Sequence, residues 1–240
     1  MALPYNTRDE MLTSVVLLWL VAALQAAPVE RASVVARDGE AATPLFAFER
    51  SVTTAEGQTV AAVRFVDAAG HVAATEQVTY VDGLVVHDQL EQRQVDERFS
   101  LTVSGSDALF EVVRNGETTR IRRDWTSDTL AIDQVPSFVT SQWDRLVAGE
   151  NVSFGLVALD RARIVRFRLM HQGPTEHLGR PAVQLRMEAN STFVRWLAPE
   201  IDLVFSPDGR TMLESRGPLP VKIRRGGEWV DLDARLVWSR

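Results

Sequence analysis

The chain has 240 residues, 45% of them hydrophobic and 24% charged, enough for one domain or two intimately packed halves to bury a core without cross-links. Its formal net charge of -6 repels a phosphate backbone, which argues against nucleic acid as a partner. With no cysteine it forms no disulfide, offers no thiol nucleophile and carries no lipid-bearing cysteine.

The first element is an apolar run from Leu12 to Leu24, about 13 residues long and so within the length of a signal-peptide core. Arg8 precedes it, although Asp9 and Glu10 offset that charge, and the small residues Ala26 and Ala27 follow. The run is shorter than the roughly 20 apolar residues of a spanning helix, and Pro28, Glu30 and Arg31 end it. The expectation is a signal peptide over residues 1–26, cleaved after Ala26, and a periplasmic or secreted β-rich domain over residues 27–240 with no permanent membrane anchor.

Beyond Pro28 apolar and polar residues alternate, the period of half-buried strands, and turn residues recur roughly every ten to twelve positions. Ala69-Gly70 and Asp82-Gly83 are weak hairpin signals. The stretch His87 to Arg98 is rich in Gln and Glu, as a helix would be, but Leu90 and Val95 are too sparse to decide. Asn115-Gly116 between Phe110–Val113 and Thr119–Ile121 is a strong hairpin signal.

Arg120, Arg122 and Arg123 beside Trp125 form a basic cluster that could grip an anionic headgroup, or more simply a charged strand edge that resists aggregation. Alternation lapses from Asp124 to Pro136, where any seam between halves would lie. The principal helix is expected from Ser137 to Val147, with Ser137 as its cap, Phe138, Val139, Trp143, Leu146 and Val147 near one stripe, and Gly149 as its stop.

Alternation resumes at Val165, Phe167 and Leu169, again at Val183, Leu185 and Met187, and finally from Val230 to Trp238. His171 and His177 are expected to frame a hairpin loop through Gly173-Pro174, where with Glu176 they could hold zinc or simply be solvated. No H-E-x-x-H spacing supports the metal, and neither a metal nor a cofactor is expected. Between Asn190 and Pro199, Phe193, Trp196 and Leu197 interrupt a stretch that would otherwise be polar. These three are the candidate ligand-binding residues, either lining the mouth of an apolar cavity or sealing the core.

Glu200 with Asp202, and Asp231 with Asp233, project in pairs as an acid and base would, but arginines share those faces and ion pairing explains the pattern. Pro207-Asp208-Gly209 marks a further turn. The motifs G-x-S-x-G, G-x-G-x-x-G and the phosphate-binding P-loop do not occur, and no catalytic residue is assigned.

From about Asp133 to Trp238 the chain resembles uncharacterised exported bacterial proteins of the DUF3108 type. The resemblance lies in the succession Asp133 to Gly149, Val152-Ser153-Phe154, Asn190-Ser191, and Ile201 to Phe205 leading through Pro207-Asp208-Gly209 to Met212-Leu213 and Gly217. It implies a curved half-barrel wrapped on a helix, similar to periplasmic lipoprotein carriers, which hold acyl chains in an apolar concavity; no functional residue of theirs is matched.

The expected fold is therefore mainly β, a curved antiparallel sheet forming a half-barrel or barrel-like sandwich packed on one principal helix. The leading expectation is a binding or chaperone-like domain holding a lipid or other apolar or amphiphilic ligand. An envelope hydrolase built on an acidic or His cluster, and an interaction module of an envelope assembly with an exposed apolar patch, are the alternatives.

Overall fold

A computed structural model describes residues 28–38, 43–190 and 200–239. The first eight strands are β1 (Val29–Ala36), β2 (Phe46–Ala55), β3 (Gln58–Asp67), β4 (Val72–Val81), β5 (Leu84–Gln92), β6 (Glu97–Ser104), β7 (Asp107–Arg114) and β8 (Glu117–Asp124). A short strand β9 (Thr129–Leu130), a 3-10 turn (Ile132–Gln134) and helices α1 (Val135–Ser141) and α2 (Trp143–Val147) follow. Six more strands complete the fold: β10 (Val152–Ala158), β11 (Arg163–His177), β12 (Arg180–Ala189), β13 (Ile201–Phe205), β14 (Met212–Arg225) and β15 (Glu228–Trp238).

The fifteen strands of the described residues belong to one sheet, in the order β8-β7-β6-β5-β4-β3-β2-β1-β15-β14-β13-β12-β11-β10-β9. Every ladder is antiparallel except β9 with β10. The two edge strands, β8 and β9, are consecutive in the chain and separated only by Trp125 to Asp128, so a fully extended connection spans no more than about 17 Å. The sheet must therefore curl until its edges converge, and the edges meet through side chains. Leu90, Phe99, Leu101, Ala108 and Phe110 pack with Val157, Leu159 and Ala162, and Arg114 donates to the Asp160 carbonyl at 2.8 Å. Gln94, in the turn between β5 and β6, and the Lys222 backbone of β14 exchange two hydrogen bonds of 2.7 and 2.8 Å, joining segments far apart in the sheet order. The result is the mainly β, curved antiparallel architecture expected from the alternation.

Two larger cores line the concave side. One gathers Phe154, Leu169, Leu185, Met187, Leu203 and Phe205 against Val135, Val139 and Leu146 of the helices. The other gathers Val34, Phe46, Phe48, Phe65, Val221 and Leu232. At roughly 25 cal/mol per Å² of apolar area, such buried side chains stabilise by about 1.5 to 3 kcal/mol each, which suffices without disulfides.

One local question left open is answered and two expectations are corrected. His87 to Arg98 is a β-hairpin, its strands joined through Arg93 to Asp96. Its inward positions include Asp88 and Gln92, 1% and 4% exposed, so polar residues occupy the apolar phase and mask the alternation. The helix begins before Ser137, with Pro136 in its first turn, and breaks at Gln142 into α1 and α2; Ser137 Oγ donates to the Gln134 carbonyl instead of capping. Gly149, at φ 87°, ends it as expected.

The second correction concerns His171 to His177, which is strand and not loop: β11 continues through a bulge between His171 and Gly173 and turns at Leu178-Gly179. Leu178 and Gly179 both have positive φ, 50° and 72°, the left-handed pair that a two-residue hairpin needs.

Candidate functional site: an acid-lined interior cavity

The concave face of β1 to β5 is built by register. Glu30 lies opposite Arg50, Arg50 opposite Val63, Val63 opposite Glu76 and Glu76 opposite Leu90, which places five inward side chains in one row. In the next row Val52, Ala61, Val78 and Asp88 follow one another. The sequence Phe46-Ala-Phe48-Glu-Arg50 thus puts a guanidinium in phase with two phenylalanines, and Ala74, Glu76, Val78 and Tyr80 put a carboxyl in phase with apolar neighbours.

From the opposite side the 3-10 turn brings in Asp133. Its carboxylate takes Arg50 Nε at 2.5 Å and Nη2 at 3.2 Å, a two-point grip, and accepts from the Tyr80 hydroxyl at 3.1 Å. Arg50 Nη1 also reaches Glu30 at 3.1 Å. Burial works against the Arg50 cation, but Asp133 and Glu30 together hold its pKa above the ordinary value.

Between this wall, α1 and the apolar faces of β12 to β15 lies a cavity of about 1020 Å³. Phe48, Val63, Val78, Leu203, Leu236 and Trp238 supply apolar lining, and Glu76, Arg50 and Asp133 supply its polar end. Glu76 lies deep in the protein yet meets the cavity's space, so it is only half-buried by accessible area. Its carboxyl is pushed well above the usual range, first by burial, then by Asp88, Asp133 and Asp160. Neither Asp88 oxygen has a hydrogen-bond partner among the described residues. Burial and then Asp133 raise its pKa to about 7, opposed last and least by the Gln89 backbone N–H, which lies near the carboxyl but outside hydrogen-bond geometry. Burial and Asp133 likewise raise the Tyr80 phenol far above its ordinary value.

Of the candidates named from sequence, those among the described residues lie elsewhere. Phe193, Trp196 and Leu197 fall outside the described residues, as does the 1–26 segment. His177 is buried beside Glu214, with Nδ1 3.4 Å from its carboxylate, and among the described residues no three His, Asp or Glu side chains converge as a metal site. Glu200 and Asp202 both pair with Arg186, at 3.0 and 2.9 Å. Asp231 pairs with Lys222 at 2.5 Å and Asp233 with Arg37 at 2.6 Å. All four acids are held in ion pairs, three with arginine and Asp231 with the lysine. Arg120, Arg122 and Arg123 lie on the edge strand β8, where Arg120 meets Glu111 at 2.7 Å.

Strand order and cavity together define the class: a curled, barrel-like antiparallel β domain with a partly polar interior space. Among solved structures the chain is similar to a beta-barrel-like protein of domain of unknown function DUF1849 from Brucella abortus. The two share 6% identity and a TM-score of 0.43 over 88% of this chain and 92% of that one. No family model matches the chain, the DUF3108 type included, and no curated relative does.

Proposed function

We propose that this is a binding domain whose interior cavity holds an apolar or amphiphilic molecule, a lipid being one such ligand. The observation that carries the reading is the cavity of about 1020 Å³, apolar on most of its wall and polar at one end. Small-ligand sites are mainly apolar concavities with a few placed polar groups, typically of about 300 to 1,000 Å³. Export to the periplasm or medium belongs to the same proposal, supported by the Leu12 to Leu24 run and the small residues after it. N-terminal sequencing of exported protein should begin at Ala27, and an intact Met1 would oppose that part.

Ser215 allows a direct test of the cavity. It faces inward opposite Leu203 and Leu236 and lines the space. The uncharged dye N-phenyl-1-naphthylamine should bind the purified chain saturably, and Ser215→Trp should weaken it about tenfold or more by filling the space, a loss of about 1.4 kcal/mol. Absence of saturable binding, or binding indifferent to a correctly folded Ser215→Trp protein, refutes the reading.

A further inference from the structure

We infer that the cavity's occupant is a cationic amphiphile, an organic ammonium on an apolar body, with its charged end seated against the Glu76 carboxyl. The inference rests on the cavity being a ligand site and concerns which ligand it selects. Arg50 is the guanidinium at the polar end, and its contacts are already engaged by Asp133 and Glu30. Glu76 and Asp88 have no such partner. Among the described residues no hydrogen bond or ion pair engages the Glu76 carboxyl, and burial and the surrounding carboxylates oppose its ionisation. Asp88, behind it, is 1% exposed with both oxygens unpartnered.

The groups around Glu76 are Asp88 from β5, Asp133 from the 3-10 turn, Tyr80 from its own strand, Arg50 from β2 and Glu30 from β1 farther along the same row, and Asp160. An anionic head would meet carboxyls there, whereas a cation would relieve their mutual repulsion. At the rim Arg31 lies 3.5 Å from Glu49 and Arg210 lies 3.8 Å from Asp208. The absence of a converging three-ligand group among the described residues leaves a bare metal ion without a cage. Apolar walls such as Phe48, Leu203 and Trp238 require a ligand with a hydrocarbon body. Seating a cation favours the ionised carboxyl, so binding releases a proton and tightens as pH rises toward the raised pKa of Glu76.

The test titrates the purified chain with decyltrimethylammonium, decanoate and decanol at pH 5 and pH 8, each below its micelle concentration. Decyltrimethylammonium should bind about tenfold or more tightly than decanoate at pH 8, with an advantage that shrinks at pH 5. Glu76→Gln keeps the shape of a protonated carboxyl and should abolish that preference while leaving decanol binding intact. Calorimetry of the unmodified chain in buffers of different ionisation enthalpy should show proton release with the cation alone. Equal or tighter decanoate binding, a preference that survives Glu76→Gln, or one that survives Ser215→Trp overturns the inference while leaving a binding cavity in place. If none of the three probes binds, the cavity reading itself falls.

Discussion

Asp88→Asn separates the charge of the buried carboxyl from its shape. Folding raises the Asp88 pKa from an ordinary 3.8 to about 7, so between those values the folded chain holds a proton that the unfolded chain has released. Stability from this residue is therefore fully present at low pH and is lost as pH climbs through the folded value. A rise of that size corresponds to about 4 kcal/mol, the cost of an ionised carboxyl that is 1% exposed and without a hydrogen-bond partner. The asparagine variant has no such dependence and relieves the repulsion that Asp88 exerts on Glu76. Urea unfolding followed by tryptophan fluorescence at pH 4, 6 and 8 should show the variant near parity with the parent at pH 4. By pH 8 it should be more stable by up to about 4 kcal/mol. A stability difference that stays constant across the three pH values, or a variant less stable than the parent at pH 8, would refute the electrostatic reading of the cluster.

Glu214 is the opposite case: burial pushes its pKa up, but Arg235 and Arg216 overcome this and hold it below the usual carboxylate range. Its stabilisation is present above the unfolded pKa and lost as pH falls through the folded value. Glu214→Gln should therefore destabilise by about 3 to 5 kcal/mol at pH 7 in urea unfolding, and less at pH 3. Gly209 sits at φ +70°, and an added Cβ would fall 2.0 Å from the Trp143 ring. Gly209→Ala should lower stability by about 2 kcal/mol or more, and calorimetric melting checks it.

Much of the sheet was legible because its inward rows are apolar and its turns carry residues that tolerate positive φ. Asn115-Gly116 and Asp82-Gly83 both adopt the expected left-handed pair. Leu178-Gly179 was missed because a leucine is a poor left-handed residue, while Gly173-Pro174 offered a better turn in sequence. Structure resolves the competition by letting Gly173 absorb a bulge inside β11.

The acid cluster was missed for a related reason. Arg50, Glu76 and Asp88 each occupy the inward phase of a strand, where a charged residue reads as an interruption of the pattern. The usable signal was that flanking residues keep the phase: Phe46 and Phe48 before Arg50, Ala74 and Val78 around Glu76. Which inward charges face one another depends on strand register and on where the 3-10 turn delivers Asp133. Neither is written in local spacing.

The strand order also bears on how the chain reaches its native state. Two runs of the sheet, β1 to β8 and β10 to β15, pair each strand with its successor along the chain, and most of these hairpins close over short loops. The ladder between β1 and β15 is different, joining Ala32 to Trp238 and Ala36 to Ala234. Closing so long a loop adds entropy only logarithmically, yet the contact gains nothing until both runs have largely formed. Assembly thus becomes a docking of two locally encoded halves along one ladder, and its slow step should respond to changes at Val34 or Leu236 more than to changes in any single hairpin turn.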